Sequence, residues 1–321
     1  MWIWPTTPFV LVAPEIWWLP FYYWLFTYLH FIFLFLEIRR FNLTKNNEGV
    51  LWVKYELERV LKTTKSKVSI VILTLIPFFD LYISIKVAFY DFWLHPDSYP
   101  QGIARNLLPH PAHASLLSGS SLGHFAQMLF IWILPIYLMF IYSDYYIQEK
   151  KLGYSDILYT KKSRSQFLKD RFSVSFLLGF AVPFLSLTIN YLAAILIFRG
   201  GKSFSGLEQF PEDLHGLALI SLQHPYITYA VYILVFSLFS GLFAMLCTSI
   251  SMLFPQYKLA YPIALLIWYG QIILPNSLTY VFQPFIEYGF KQIIPASILF
   301  VTICLAVSIF AFRHQVIADE T

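Results

Sequence analysis

Three ionisable side chains stand inside an otherwise apolar run at 68–93: Asp80, Lys86 and Asp91. A charge at such depth in a bilayer costs roughly 2.5–3.5 kcal/mol, so these groups face protein or water rather than lipid. Asp80 and Asp91 are eleven residues apart, three helical turns, hence on one stripe; Lys86 points about 120° away. Pro77, just before Asp80, is expected to kink the helix. Two readings are open. In the first, Lys86 and Asp91 snorkel outward while Asp80 bonds a neighbouring helix. In the second, Asp80, with Lys86 and with Asn190 from a later apolar run, lines a substrate path.

Other motifs carry less. Gly200-Gly201-Lys202-Ser203 resembles the end of a phosphate-binding loop, but the full pattern needs a glycine where Leu196 stands and a strand before it. Any ATP is therefore expected on another chain. His95, His110, His113, His124, His215 and His224 sit in or beside two loops. Clustered imidazoles can bind zinc or copper, but no cysteine or Glu/His spacing of a structural site accompanies them, and no metal ligand is assigned. No nucleophile, base and orienting group stand together, so no catalytic residue is assigned and the chain reads as a non-enzyme. Cys247 and Cys304 lie in apolar runs as small hydrophobes, not as a disulfide. Gly179, Gly241 and Gly270 are isolated, so no GxxxG packing face is expected.

The elements that position these residues are membrane helices. Of 321 residues, 58% are hydrophobic and only 12% charged, against about 25% charged in globular proteins. A soluble domain cannot hide so much apolar surface. The expected class is all-α and polytopic. Apolar stretches near 16–37, 68–93, 124–144, 172–198, 226–253, 258–274 and 293–312 approach the length that spans ~30 Å of hydrocarbon. The first, within an N-terminal unit 1–40, is crowded with aromatic residues. The sixth, bounded by Pro262 and Pro275, is the shortest.

Lys and Arg are asymmetrically placed. Putting 145–171 inside gathers most cations there and leaves Arg105, Arg199, Lys202 and Lys291 outside. By the positive-inside rule the N-terminus is then outside and the C-terminus, with a short tail 314–321, is cytoplasmic. The segment 41–67 contains an amphipathic helix, with Val50, Val53, Leu57, Val60 and Leu61 on one face. It reads either as a juxtamembrane anchor lying on the surface or as a connecting helix that also touches a cytoplasmic partner. The loops 94–124 and 199–225 fall outside. The segment 276–292, too polar to cross and too apolar for a free loop, reads as a hairpin dipping into the outer leaflet.

Within Tyr145–Arg171 the cations Lys150, Lys151, Lys161, Lys162, Arg164, Lys169 and Arg171 alternate with Ile157, Leu158, Tyr159, Phe167 and Leu168. A short amphipathic helix there can press apolar side chains into a partner's groove. This order of elements, with Glu149, Lys150, Gly153, Ile157, Leu158, Ser163, Arg164, Phe167, Leu168, Lys169 and Arg171 in the first basic loop, resembles the permease subunit of ABC-2 type transporters. The resemblance covers about 50–313. It departs from the pattern in the extra N-terminal helix and the long loop after the first core span.

The resemblance implies a six-span domain, 68–313, with a coupling helix in the loop 145–171. It implies two permease chains, identical or related, above two separate ATPase subunits that bind the ATP and Mg. The docking residues would be Tyr154, Ile157, Leu158, Ser163, Arg164, Phe167 and Leu168. The place implied is a bacterial plasma membrane, with lipid around the chain and no nucleic acid as partner. The expected function is export of an amphipathic or hydrophobic compound (a peptide, lipid or antibiotic) by alternating access. The rival expectation is a membrane receptor or immunity protein that binds a ligand through its outer loops.

Overall fold

The structure is a computed structural model that describes residues 48–317, apart from 96–97, 99–102, 104–106, 119–123, 162, 205–216, 276 and 286–288. The aromatic stretch 16–37, the last four residues and much of the 199–225 loop lie outside the described residues. Those described form an all-helical membrane protein, with one isolated backbone bridge between Pro109 and Ser203. In chain order the helices are α1 (Glu48–Lys62), α2 (Thr64–Leu94), α3 (His124–Trp132), α4 (Leu134–Leu138), α5 (Tyr145–Lys151), α6 (Tyr154–Lys161), α7 (Arg164–Ile197), α8 (Leu217–Gln223), α9 (Pro225–Leu253), α10 (Tyr257–Ile273), α11 (Thr279–Phe282) and α12 (Phe290–Ile317). A π-helical turn, Met139–Ser143, follows α4.

Four helices, α2, α7, α9 and α12, are long and apolar enough to cross a membrane, and the bent α3–α4 pair makes a fifth candidate. The sixth stretch becomes α10, whose 17 residues reach about 25 Å at 1.5 Å per residue. That is short of the ~30 Å hydrocarbon core. The 124–144 stretch is not one straight span: it bends by 50° between Trp132 and Leu134.

Proline chemistry explains the bend. Pro135 has no N–H, so the Ile131 carbonyl loses its helical partner. The Trp268 indole of α10 donates to that carbonyl at 2.9 Å. Trp268 is fully buried there. In a membrane such replacement is obligatory, because no water is available for an orphaned carbonyl. The same device recurs in α2. Pro77 deprives the Leu73 carbonyl of its donor, and the Ser186 hydroxyl of α7 supplies one at 3.1 Å.

The core is built around α9. Half of its most apolar window is buried, against 22% for α12, so α9 is the central post and α12 a peripheral one. Its principal partner is α7, and the two helices approach at a pair of glycines. A Cβ on Gly179 would run into the Ala244 side chain and the backbone at Ser240 and Gly241, and one on Gly241 would meet the Phe176 ring. No repeat within either helix announces this crossing; one glycine from each helix does what a GxxxG face does on one. Trp268 and Phe300 pack with Phe243 of α9, and Phe282 stacks on Trp268, to complete the aromatic centre.

Candidate functional site

At one end of the bundle, the basic end, four charged side chains meet, three of them buried and Arg59 partly exposed. Glu56 and Arg59 come from α1, Glu149 from α5 and Arg171 from α7. Helical spacing puts Glu56 and Arg59 on one face of α1, one turn apart, and their ion pair measures 3.0 Å. Arg59 also pairs with Glu149, and Glu149 pairs with Arg171. Glu56 and Arg171 are almost fully inaccessible. The alternation acid–base–acid–base leaves the cluster formally neutral, so the three buried charges, Glu56, Glu149 and Arg171, are compensated within it and by the partly exposed Arg59.

Aromatic rings wall the cluster. Arg171 lies over the faces of Tyr142, Tyr146 and Phe167, and Arg59 over Tyr145. Tyr142 donates to Glu56 at 3.4 Å. Burial raises the Glu56 carboxyl above its ordinary range despite the neighbouring Arg59 and Arg171. Burial works the other way on Arg59, but the carboxylates Glu56 and Glu149 outweigh it, so its pKa lies above the usual value.

Two further ties hold the same end. Lys65 of α2 pairs with Asp144, which also accepts a hydrogen bond from Tyr261 of α10 at 2.6 Å. Gln315 of α12 receives Arg164 at 3.0 Å and Tyr146 at 3.2 Å, and donates to the Met252 carbonyl of α9 at 3.0 Å. The segment from Asp144 to Arg171 is thus fastened to α1, α2, α9, α10 and α12.

The residues expected to dock a partner divide between two faces. Leu158, Phe167 and Leu168 are buried, in a cluster with Tyr146, Phe172 and Met252. Tyr154 is half-buried, and Arg164 is engaged with Gln315 and lies over the Tyr159 ring. Ile157 and Ser163 face out. Sequence reasoning did not assign Leu152, 73% exposed, or Tyr55 of α1, 52% exposed, to the docking set; both are outward apolar side chains, as Ile157 is. A leucine next to a glycine turn gives no amphipathic signal.

At the opposite end, a loop-like stretch behaves unlike a loop. Pro111 to Ser118 is buried at every position. Asn190 of α7 holds it: the side-chain N–H donates to the Pro77 carbonyl at 2.7 Å, and the side-chain oxygen accepts from Leu116 N–H at 3.4 Å. The Tyr229 hydroxyl of α9 accepts from Leu117 N–H at 3.1 Å. Asp80, fully buried one turn beyond Pro77, lies within electrostatic reach of that hydroxyl. The structure therefore brings Asp80 and Asn190 into one polar cluster. Lys86 is exposed on α2 and stands apart from it.

Residues 201–204 pack against the start of this stretch. His110 N–H donates to the Ser203 carbonyl at 2.8 Å, and Lys202 and Ser203 donate to the Leu108 carbonyl. Gly201 leaves room for the Pro109 carbonyl, which a Cβ would strike. His110 stacks on Phe204 at 4.9 Å, and its Nδ1 accepts from Ala112 N–H at 3.2 Å. Burial lowers both His110 and His113 to about 4, with each other's charge a further cause for His113. Among the described residues, no three metal-ligating side chains converge.

No family profile and no solved structure matches the chain. A curated relative is similar to it: the uncharacterized protein YybM of Bacillus subtilis (strain 168), 34% identical over 201 residues. The matched segment is 63% of this chain and 78% of YybM.

Proposed function

Since the chain belongs to the family of YybM, a family whose name carries no activity, we propose from its own chemistry that it is the membrane-spanning permease subunit of an ATP-driven transporter. The basic end faces the cytoplasm of a bacterial cell, and separate ATPase subunits dock there. The observation that carries this reading is the buried Glu56–Arg59–Glu149–Arg171 cluster. It links the amphipathic helix, the basic segment and the foot of α7 through charge pairs, which transmit a push as one body because breaking any pair strands a buried charge. Ile157, Leu152 and Tyr55 offer the apolar contact, and Lys150 and Lys151 the charge, for an acidic-rimmed groove on the ATPase.

Alternating access then amounts to rigid movement of packed helices, with export of an amphipathic or hydrophobic compound past Asp80 and Asn190. The buried 111–118 stretch closes the outer end in this state. A receptor or immunity protein is the alternative, and it calls for outer loops open to a ligand; the burial of 111–118 favours the transporter. The test is co-purification from the native host. The tagged chain is expected to bring down a nucleotide-binding subunit, and Ile157→Glu to release it while the protein remains in the membrane. Recovery of the chain with no ATPase, or equal recovery with Ile157→Glu, would sink the proposal.

A further inference from the structure

The basic end also carries a groove that the coupling argument leaves unused. It is an open depression of about 340 Å³ between α9, α10 and α12, lined by Ile250, Leu253, Phe254, Ile263, Ile267, Ala306, Val307 and Phe310. Every lining side chain is apolar. A second recess of about 400 Å³, bordered by Phe310, Arg313, His314 and Ile317, continues it toward the end of α12.

From this we infer that the groove is a binding site for one anionic phospholipid, its acyl chain along α9, α10 and α12 and its phosphate at Arg313 and His314. Three observations select that occupant. First, the lining offers no hydrogen-bonding side chain, so a peptide loop or strand laid in it would orphan its backbone polar groups; a hydrocarbon chain has none. Secondly, helices pack in membranes through small residues, yet seven of the eight lining residues are bulky and only Ala306 is small. A second copy of the chain would fit such a surface poorly.

Thirdly, the charge lies where a headgroup would be. Arg313 and His314 follow Phe310 by three and four residues, on the same face of α12. Both are exposed, and Arg313 makes no ion pair or hydrogen bond among the described residues. Lys258, in the first turn of α10, stands at the same end. Guanidinium groups recognise phosphate through paired N–H donors, and basic pockets between membrane helices on the cytoplasmic side hold acidic headgroups. The leaflet assigned rests on the orientation proposed above; the groove itself does not.

The experiment is native mass spectrometry of the purified full chain titrated with phosphatidylglycerol or with phosphatidylcholine of the same acyl chains. One phosphatidylglycerol is expected to be retained where phosphatidylcholine is lost. Arg313→Gln is expected to weaken that retention about fivefold, the effect of one cation near a headgroup. Val307→Trp, which fills the groove, is expected to lower binding of both lipids, and Lys291→Gln, at the far end of α12, to change neither. Equal retention of the two lipids, undiminished retention in Arg313→Gln, or displacement of the lipid by inorganic phosphate alone would overturn the inference. Lipid retention is read without any ATPase, so its failure and the failure of the transport reading are separable.

Discussion

Removing the Arg171 guanidinium would leave Glu149 buried with half its compensation gone. Arg171→Ala is expected to cost about 3–5 kcal/mol, the usual penalty for breaking a buried pair from one side. Thermal unfolding followed by circular dichroism should show a clearly lowered midpoint, and Glu149→Gln in the same background should recover part of the loss. If Arg171→Ala melts like the parent, the cluster is not a fastening. Asp80 belongs to a different argument. Asp80→Asn keeps the shape of the side chain while removing its charge and replacing one acceptor oxygen by an N–H donor. On the proposed transport reading it is expected to lower transport and leave insertion intact; full transport in that variant would take Asp80 out of the proposed substrate path. Asn190 was legible in the sequence only as a polar residue in an apolar run. Its double role, on the Pro77 carbonyl and on Leu116, needs two segments that are 74 residues or more from it in one direction of the chain to come together, which no local pattern encodes.

At the scale of elements, the α7–α9 crossing and the buried stretch 110–118 make distinct forecasts. Gly179→Leu would place a branched side chain against Ala244 and the α9 backbone. Overpacking of this kind typically costs 1–3 kcal/mol, and the variant is expected to show a lower melting midpoint and poorer membrane yield than Gly179→Ala. The buried stretch should respond to acid. Its two histidines are held near 4 by burial, whereas in an opened segment they titrate near 6.5. The closed form therefore binds fewer protons than the open one. Its stability is complete above about pH 6.5 and falls as pH drops from there towards 4, as protonation of Nδ1 breaks the His110 bond to Ala112 N–H. Hydrogen exchange of 107–118 is expected to be slow at pH 7.5 and markedly faster at pH 5, with exchange in the centre of α9 unchanged. Uniform exchange at the two pH values would exclude the histidines as the cause. The prolines at 77 and 135 belong here too. Pro77 was read as a kink and Pro135, inside a stretch read as one span, was not; the donors that repair the two carbonyls, Ser186 and Trp268, are chosen by packing.

For the whole molecule, orientation is the decisive property. The buried Cys247 and Cys304 give little background in thiol labelling. A cysteine placed at exposed Leu152 is expected to react only after the membrane is permeabilised, and one at exposed Lys202 to react from outside in intact cells. The opposite pattern would invert the topology and place the proposed coupling face on the wrong side. The asymmetry of Lys and Arg that underlies this forecast was fully visible in the sequence, because membrane insertion acts on charge distribution before any tertiary contact forms.

The sequence by itself determined the all-helical membrane class and the approximate position of the long spans. Hydrocarbon length and backbone satisfaction constrain these residue by residue, with no need of neighbours. It also marked the basic segment, as charge. Only the tertiary structure decided what that segment is made of: Leu158, Phe167 and Leu168 turn inward, Ile157 turns outward, and Glu56, Arg59, Glu149 and Arg171 become one cluster. The same is true of 111–118, whose Pro, His and Ser read as loop material. Burial of such a stretch depends on acceptors from α7 and α9 that lie far away in the chain. Local composition reports what a residue prefers, and only the packed fold supplies partners that make an unfavourable place tolerable.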